Sequence, residues 1–229
     1  MSTENEKKIK AIELMIVCAD QFPNCPIIST NEIVSMLDRR RADTKMEDMA
    51  SRSPPVADSL TISKCDMVNQ DQVVGHVSEV TSLKIGQFLY EDELNMILVD
   101  VRSKNERDVS MIPGAITSDE FENLIKNNPN MDKSRLIVPY CTIGYRSGKY
   151  GSYLLKECGF TNVRNGEGIV LWTHAVGSSL VVQVGGAEKC TNEVHTFGSA
   201  WDLASDKYST VQFGTLSFIL QGLSAFFAG

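Results

Sequence analysis

The chain has 229 residues, 42% of them hydrophobic and 22% charged, with a net charge of −7. That length suits one sizeable domain with extensions, or two small ones. The acidic balance weighs against a broad nucleic-acid footprint, and the one basic run, Arg39-Arg40-Arg41, reads as a solvated helix end.

The first residues, "MSTENEKKIKAIELM", carry early acids and no long apolar core. They look like neither a secretory signal nor a transit peptide, so a cytoplasmic, reduced setting is expected. Ile9, Ile12, Ile16 and Ala19 at helical spacing predict an amphipathic helix over 6–20. Pro23 and Pro26 end it. Ser29 with Glu32 three residues on is a capping-box pattern and predicts a second helix to about Arg41. Residues 42–60, polar and containing Pro54-Pro55, read as a linker or surface loop. Residues 61–93 show only fragments of strand character.

From Asn95 the pattern sharpens. "MILVDVR" is a near-continuous apolar run of strand length, as expected for a strand buried on both faces. "FENLIKNN" reads as a short helix and "RLIVPYC" as a second buried strand. "RSGKYGSYLLKECGF" reads as a helix stopping at Gly159, a usual glycine cap. "NVR" is a short strand and "GIVLWTHA" another helix. Alternating strands and helices predict an α/β fold with a small parallel sheet and helices on both faces. The uncharged stretch 209–229 divides into an apolar and a small/polar face, which predicts a C-terminal hydrophobic helix packed on the protein or a partner, with a tail anchor as the lesser alternative.

The chemistry concentrates between "IVPY" and the helix after it, where Cys141 opens a loop that Arg146 closes. Such a loop lies at the usual ligand site of an open α/β sheet, with N–H groups able to cradle an anion. A cysteine there gains thiolate character from the helix N-terminus and becomes a nucleophile near neutral pH. Cys18, Cys65, Cys158 and Cys190 read as small buried hydrophobes, and Cys25 has no assignment. His76, His174 and His195 lie far apart without metal spacing, so no metal is expected. His174 reads as structural, at the edge of the last helix.

In series, these segments resemble the rhodanese-like sulfurtransferases. "LVDVRSKNE" resembles the family's strand end, with Asp100, Arg102 and Glu106; "IPGAI", "YCTIGYRS" and "GFTNVRNGEGIVLW" follow in family order. The resemblance covers about 83–178. It implies a domain over 83–180, an N-terminal extension over 1–82 and a C-terminal extension over 181–229. "ISTNEIVSML" resembles the family's opening element; on that reading 28–38 belongs to the domain and 39–82 is an insertion. "NEVHTFGSAW" resembles an extension of some single-domain members.

The resemblance implies a sulfurtransferase. Cys141 is the catalytic residue. Thr142, Ile143, Gly144, Tyr145, Arg146 and Ser147 form the loop that binds the anionic persulfide, and Asp100, Arg102 and Glu106 support it. A sulfane sulfur passes from thiosulfate or a persulfide donor to a thiol or cyanide acceptor, with no cofactor. Met111 stands where the family often has His, and Glu106 where thiosulfate-specialised members have arginine, which points to a less anionic donor. The fold's phosphatase branch places five residues between Cys and Arg, with His before the Cys. Here there are four, after Tyr140, which favours sulfur over phosphate. The remaining alternative is a catalytically weak interaction module, with a partner protein docked on the N-terminal helices or the C-terminal tail.

Overall fold

The computed structural model describes residues 3–39 and 96–213. The chain divides into two compact units, Met1–Ser35 with Met96–Gly229, and Met36–Asn95. The expectations for 42–93 and for the end of the tail, 214–229, lie outside the described residues.

Helix α1 (Glu4–Ala19) starts at Thr3 with a full capping box closed by Glu6. Strand β1 (Ile27–Ile28) precedes α2, residues 30–39. The predicted box is present there too: Glu32 N donates to Ser29 Oγ, while Ser29 N and Oγ donate to Glu32 Oε2. Next come β2 (Met96–Asp100), α3 (Lys104–Arg107), β3 (Ile116–Thr117) and α4 (Ser118–Asn127). They lead to β4 (Leu136–Tyr140), α5 (Tyr145–Lys156), β5 (Asn165–Gly166) and α6 (Ile169–Trp172). The last part holds β6 (Leu180–Val184), β7 (Ala187–Thr191), β8 (Glu193–His195) and β9 (Ser209–Val211).

The central sheet is parallel. β2 pairs with β3 on one side and β4 on the other, in register from Met96↔Leu136 to Asp100↔Tyr140. β1 pairs with β5. The Ile137↔Val163 bridge and the bonds Ile137 N to Asn162 O and Arg164 N to Ile137 O join the two pairs. The strand order is therefore β3–β2–β4–β5–β1.

Every residue of β2 is buried, which explains its unbroken apolar run: successive side chains alternate faces, and both faces are covered. Ile97 and Val99 enter a cluster with Phe121, Ile137, Leu154 and Phe160, roofed by α4 and α5. A second cluster joins Ala11, Met15 and Cys18 of α1 to Ile143, Val170, Leu171 and Leu203.

Three expectations need correction. The buried face of α1 is Ala11, Met15, Cys18 and Ala19, while Ile9 and Ile16 are exposed; slender side chains let the helix lie close to its neighbours. Ser209–Val211, expected as the start of the tail helix, form strand β9 in parallel with β8, since pairing overrides local propensity; the helix expected beyond, over 214–229, lies outside the described residues. Cys190 is exposed on β7, where a buried thiol was expected. Among the described residues no helix is long and apolar enough to cross a membrane.

Candidate active site

The site sits at the C-terminal end of β4, where the chain leaves the sheet through Cys141–Gly144 and enters α5. Gly144 caps the helix at φ 98, a left-handed conformation that glycine adopts without a Cβ clash. Two groups of α6 pull on the loop from behind. Ile169 N donates to Cys141 O at 2.8 Å and Val170 N to Thr142 O at 3.2 Å. Because each peptide is trans and planar, carbonyls drawn toward α6 leave their N–H groups facing the opposite way, away from that helix. Asn165 Nδ2 holds the Gly144 carbonyl at 2.8 Å. Gly168, at φ 102, lets α6 come this near: a Cβ there would lie 2.5 Å from Thr142 O.

Cys141 is buried. Gly144 N donates to its Sγ at 3.2 Å and Ser147 Oγ at 3.4 Å. Burial pushes the thiol up, but the Arg146 charge, the Ser147 hydroxyl and loop N–H groups outweigh it, so its pKa lies below the ordinary thiol value. The start of α5 adds the positive end of a three-turn helix.

The other loop residues divide. Thr142 turns toward Glu106, donating from Oγ1 to Oε1 at 3.2 Å. Ile143 anchors the loop in the α1 cluster. Tyr145 points outward, its ring 5.4 Å from that of Phe22. Arg146 reaches sideways: Nη1 donates to Glu106 Oε2 and Nη2 to Oε1, both at 2.7 Å, and Nη2 also to Thr142 Oγ1 at 3.0 Å. This two-pronged pair is the strong form of the arginine–carboxylate contact. Glu106 is buried and also caps α3 by accepting from Ser103 N and Oγ. Burial works against its charge, but Arg146 hydrogen bonding and charge prevail and hold the carboxyl at about 2. Its negative charge is thus matched inside the protein instead of facing a donor, which corrects the simple repulsive role expected from its place in the sequence.

Asp100 and Arg102 lie behind the loop as a buried pair, with Arg102 Nη2 at 2.7 Å from Asp100 Oδ2 and donating to Ser110 O at 2.6 Å. Tyr140 OH donates to Asp100 Oδ2 at 2.6 Å and accepts from Ile112 N. Burial, then the neighbouring Asp100 charge, drives the Tyr140 pKa well up, so the phenol stays a donor and fixes the strand end immediately before Cys141. His174 faces elsewhere: its ring nitrogens lie 2.8 Å from Leu203 O and 3.0 Å from Glu4 Oε1.

Sequence reasoning missed three contributors. Met15 of α1 packs near Gly144. Asn165 holds the loop carbonyl. Phe197, in the C-terminal segment, lays its ring 5.2 Å from the Arg146 guanidinium carbon. All three sat in quoted stretches, Met15 in the first helix, Asn165 in the Gly-rich turn and Phe197 in "NEVHTFGSAW", but Met15 and Phe197 meet the loop through long-range packing that no local pattern encodes.

Residues 89–175 match the rhodanese-like domain family. Two curated relatives are tRNA uridine(34) hydroxylases. That of Staphylococcus epidermidis is 40% identical over 78 residues, 32% of this chain and 24% of that protein. That of Staphylococcus saprophyticus is 33% identical over 108 residues, 45% of this chain and 33% of that protein. The chain thus spans about a quarter to a third of the length of these relatives. Among solved structures, a rhodanese_3-like domain from Anabaena is 23% identical, with TM-score 0.33, over 40% of this chain and 97% of that one. The polysulfide-sulfur transferase of Wolinella succinogenes is 23% identical, with TM-score 0.29, over 41% and 72%.

Proposed function

We propose that this chain, which carries a rhodanese-like domain over residues 89–175, is a sulfurtransferase that moves a sulfane sulfur through a persulfide on Cys141. The observation that carries the reading is the environment of that sulfur: a buried cysteine at a helix N-terminus, with Gly144 N and Ser147 Oγ both donating to Sγ. The thiolate attacks the outer sulfur of the donor. The donor S–S bond breaks and its electron pair leaves on sulfite or on a thiolate. The new Cys141 persulfide keeps its negative charge among the loop N–H groups. An acceptor thiolate or cyanide then attacks the outer sulfur and returns Cys141 as thiolate, a ping-pong cycle. In this reading Thr142 and Arg146 shape the loop, and Asp100, Arg102 and Glu106 hold the surrounding strand end and helix. The pairing of β1 with β5 supports placing residues 28–35 in the same domain, with 36–95 inserted into it.

The relatives are named for the hydroxylation of a tRNA uridine. The net charge of −7 weighs against a nucleic-acid substrate here, and the sulfur reading rests on the Cys141 loop itself. Intact-mass measurement tests it. Incubation with glutathione persulfide or thiosulfate should add one sulfur at Cys141, removable by cyanide, and Cys141→Ser should take up none. Persulfide turnover surviving in Cys141→Ser would overturn the reading. Iodoacetamide labelling of Cys141 against pH should show a midpoint below the free-thiol reference of about 8.5. Ser147→Ala should move that midpoint upward. A midpoint above the reference would remove the activated thiolate.

A further inference from the structure

The arginine of the loop is enclosed on its edge and on one face. Its two terminal nitrogens are engaged by Glu106 and Thr142, so the fork they form for gripping an oxyanion is occupied. Over the guanidinium lies the Phe197 ring, at 5.2 Å from Cζ to centroid, within reach of a cation–π contact. Phe197 comes from the segment after β8, well outside the residues matched to the family.

That ring is held in place by its own small structure. Phe197 has φ 67 and is the one non-glycine residue at positive φ among the described residues, a conformation bulky side chains rarely adopt. Its N–H donates to His195 Nδ1 at 3.0 Å. His195 is buried and its ring lies tilted against Phe213 at 4.1 Å, and Phe213 also meets Phe197 edge-on at 5.7 Å. The β8–β9 pairing and the bond from Thr196 N to Val211 O fix both strands beneath this trio. An unfavourable backbone conformation kept by two neighbouring rings and a ladder argues from an observed outlier to a role.

We propose that Phe197 is a specificity-determining residue of the Cys141 site. It covers the face of a guanidinium already paired in its plane, denies that charge to sulfonate-bearing donors, and offers an apolar wall to the organic part of an alkyl persulfide. The inference rests on the sulfur-transfer reading and adds the donor class: a persulfide of low charge, in preference to an inorganic dianion.

The experiment compares kcat/KM for thiosulfate and for an alkyl persulfide in the full chain. Phe197→Gly removes the ring and suits the positive φ, while Phe197→Tyr keeps the ring. The thiosulfate-to-persulfide ratio should rise roughly threefold or more in Phe197→Gly, the scale of an exposed cation–π contact, and stay at the wild-type value in Phe197→Tyr. An unchanged ratio in Phe197→Gly, or an equal rise in both variants, overturns the inference while leaving the sulfur-transfer reading intact. Should the glycine variant not fold, Phe197→Leu must shift the ratio the same way, and an unchanged ratio there overturns the inference. A wild-type chain that gains sulfur from neither donor overturns both readings together.

Discussion

At Glu106 one buried side chain joins two tasks: it accepts from Ser103 to start α3 and from Arg146 to hold the loop arginine. Its folded-state carboxyl lies at about 2 against an ordinary 4.5. A depressed carboxylate adds stability that is fully present above its unfolded value and is lost as pH falls through its folded value. The Glu106 contribution, on the order of 3 kcal/mol, is therefore present at neutral pH and fades between about pH 4.5 and pH 2. Glu106→Gln should lower stability in urea at pH 7, and the gap to wild type should narrow across that acid window. A gap that stays constant with pH would show that Glu106 acts by shape instead of by charge. The residue types at positions 100, 102, 106, 141 and 146 were legible in the sequence, as was a loop between β4 and α5 that Cys141 opens and Arg146 closes. Their pairing was not: nothing in the spacing of Glu106 and Arg146, 40 residues apart, says that two opposite charges neutralise each other.

Among the elements, the short α6 matters beyond its four residues, since its first N–H groups hold the carbonyls of Cys141 and Thr142. Gly168 makes the approach possible, and Gly168→Ala would meet Thr142 O, Thr142 C and Ile143 N, all inside 3.0 Å, at a backbone φ of 102. Both backbone groups would have to give way. The substitution should cost about 2–4 kcal/mol, from strain at positive φ and from the clash, and should raise the alkylation midpoint of Cys141 as the loop N–H groups swing off the sulfur. Thermal melting together with the labelling profile checks both halves. A melt lowered with the midpoint unmoved would separate α6 from the thiol's activation. The strands β2 and β4 and the helix α5 could be read directly, because burial on both sheet faces and glycine punctuation leave strong local patterns. The β8–β9 pair could not: its strands are three residues each, too short for a period, and their pairing is settled by the chain around them.

Across the whole molecule, α1 acts as a brace. Its N-terminal end is fastened to the C-terminal segment by Lys7–Asp206 at 2.6 Å and by Asp206 N donating to Glu4. Its far end packs through Met15 and Cys18 on Ile143 of the loop. Surface pairs of this kind contribute little by themselves, so the apolar contact carries the attachment. Met15→Ala should cost about 2–4 kcal/mol through the cavity it leaves, seen as a lower urea midpoint. The loop it backs should then label less selectively at Cys141; unchanged stability would mean the helix is not packed as described. The brace was half legible: periodicity gave the helix, but chose Ile9 and Ile16, which are exposed, because the face that docks is set by a partner surface distant in the chain. The same remoteness shapes how the protein comes together. β2 meets β4 over a modest separation, whereas Cys25 and Val163, which approach where β1 joins β5, lie 138 residues apart. Closing long loops slows the formation of the contacts that depend on them. The contacts of β2 with β4 are therefore expected to form before those of β1 with β5, and α1 reaches the back of the Cys141 loop only across the same long separation.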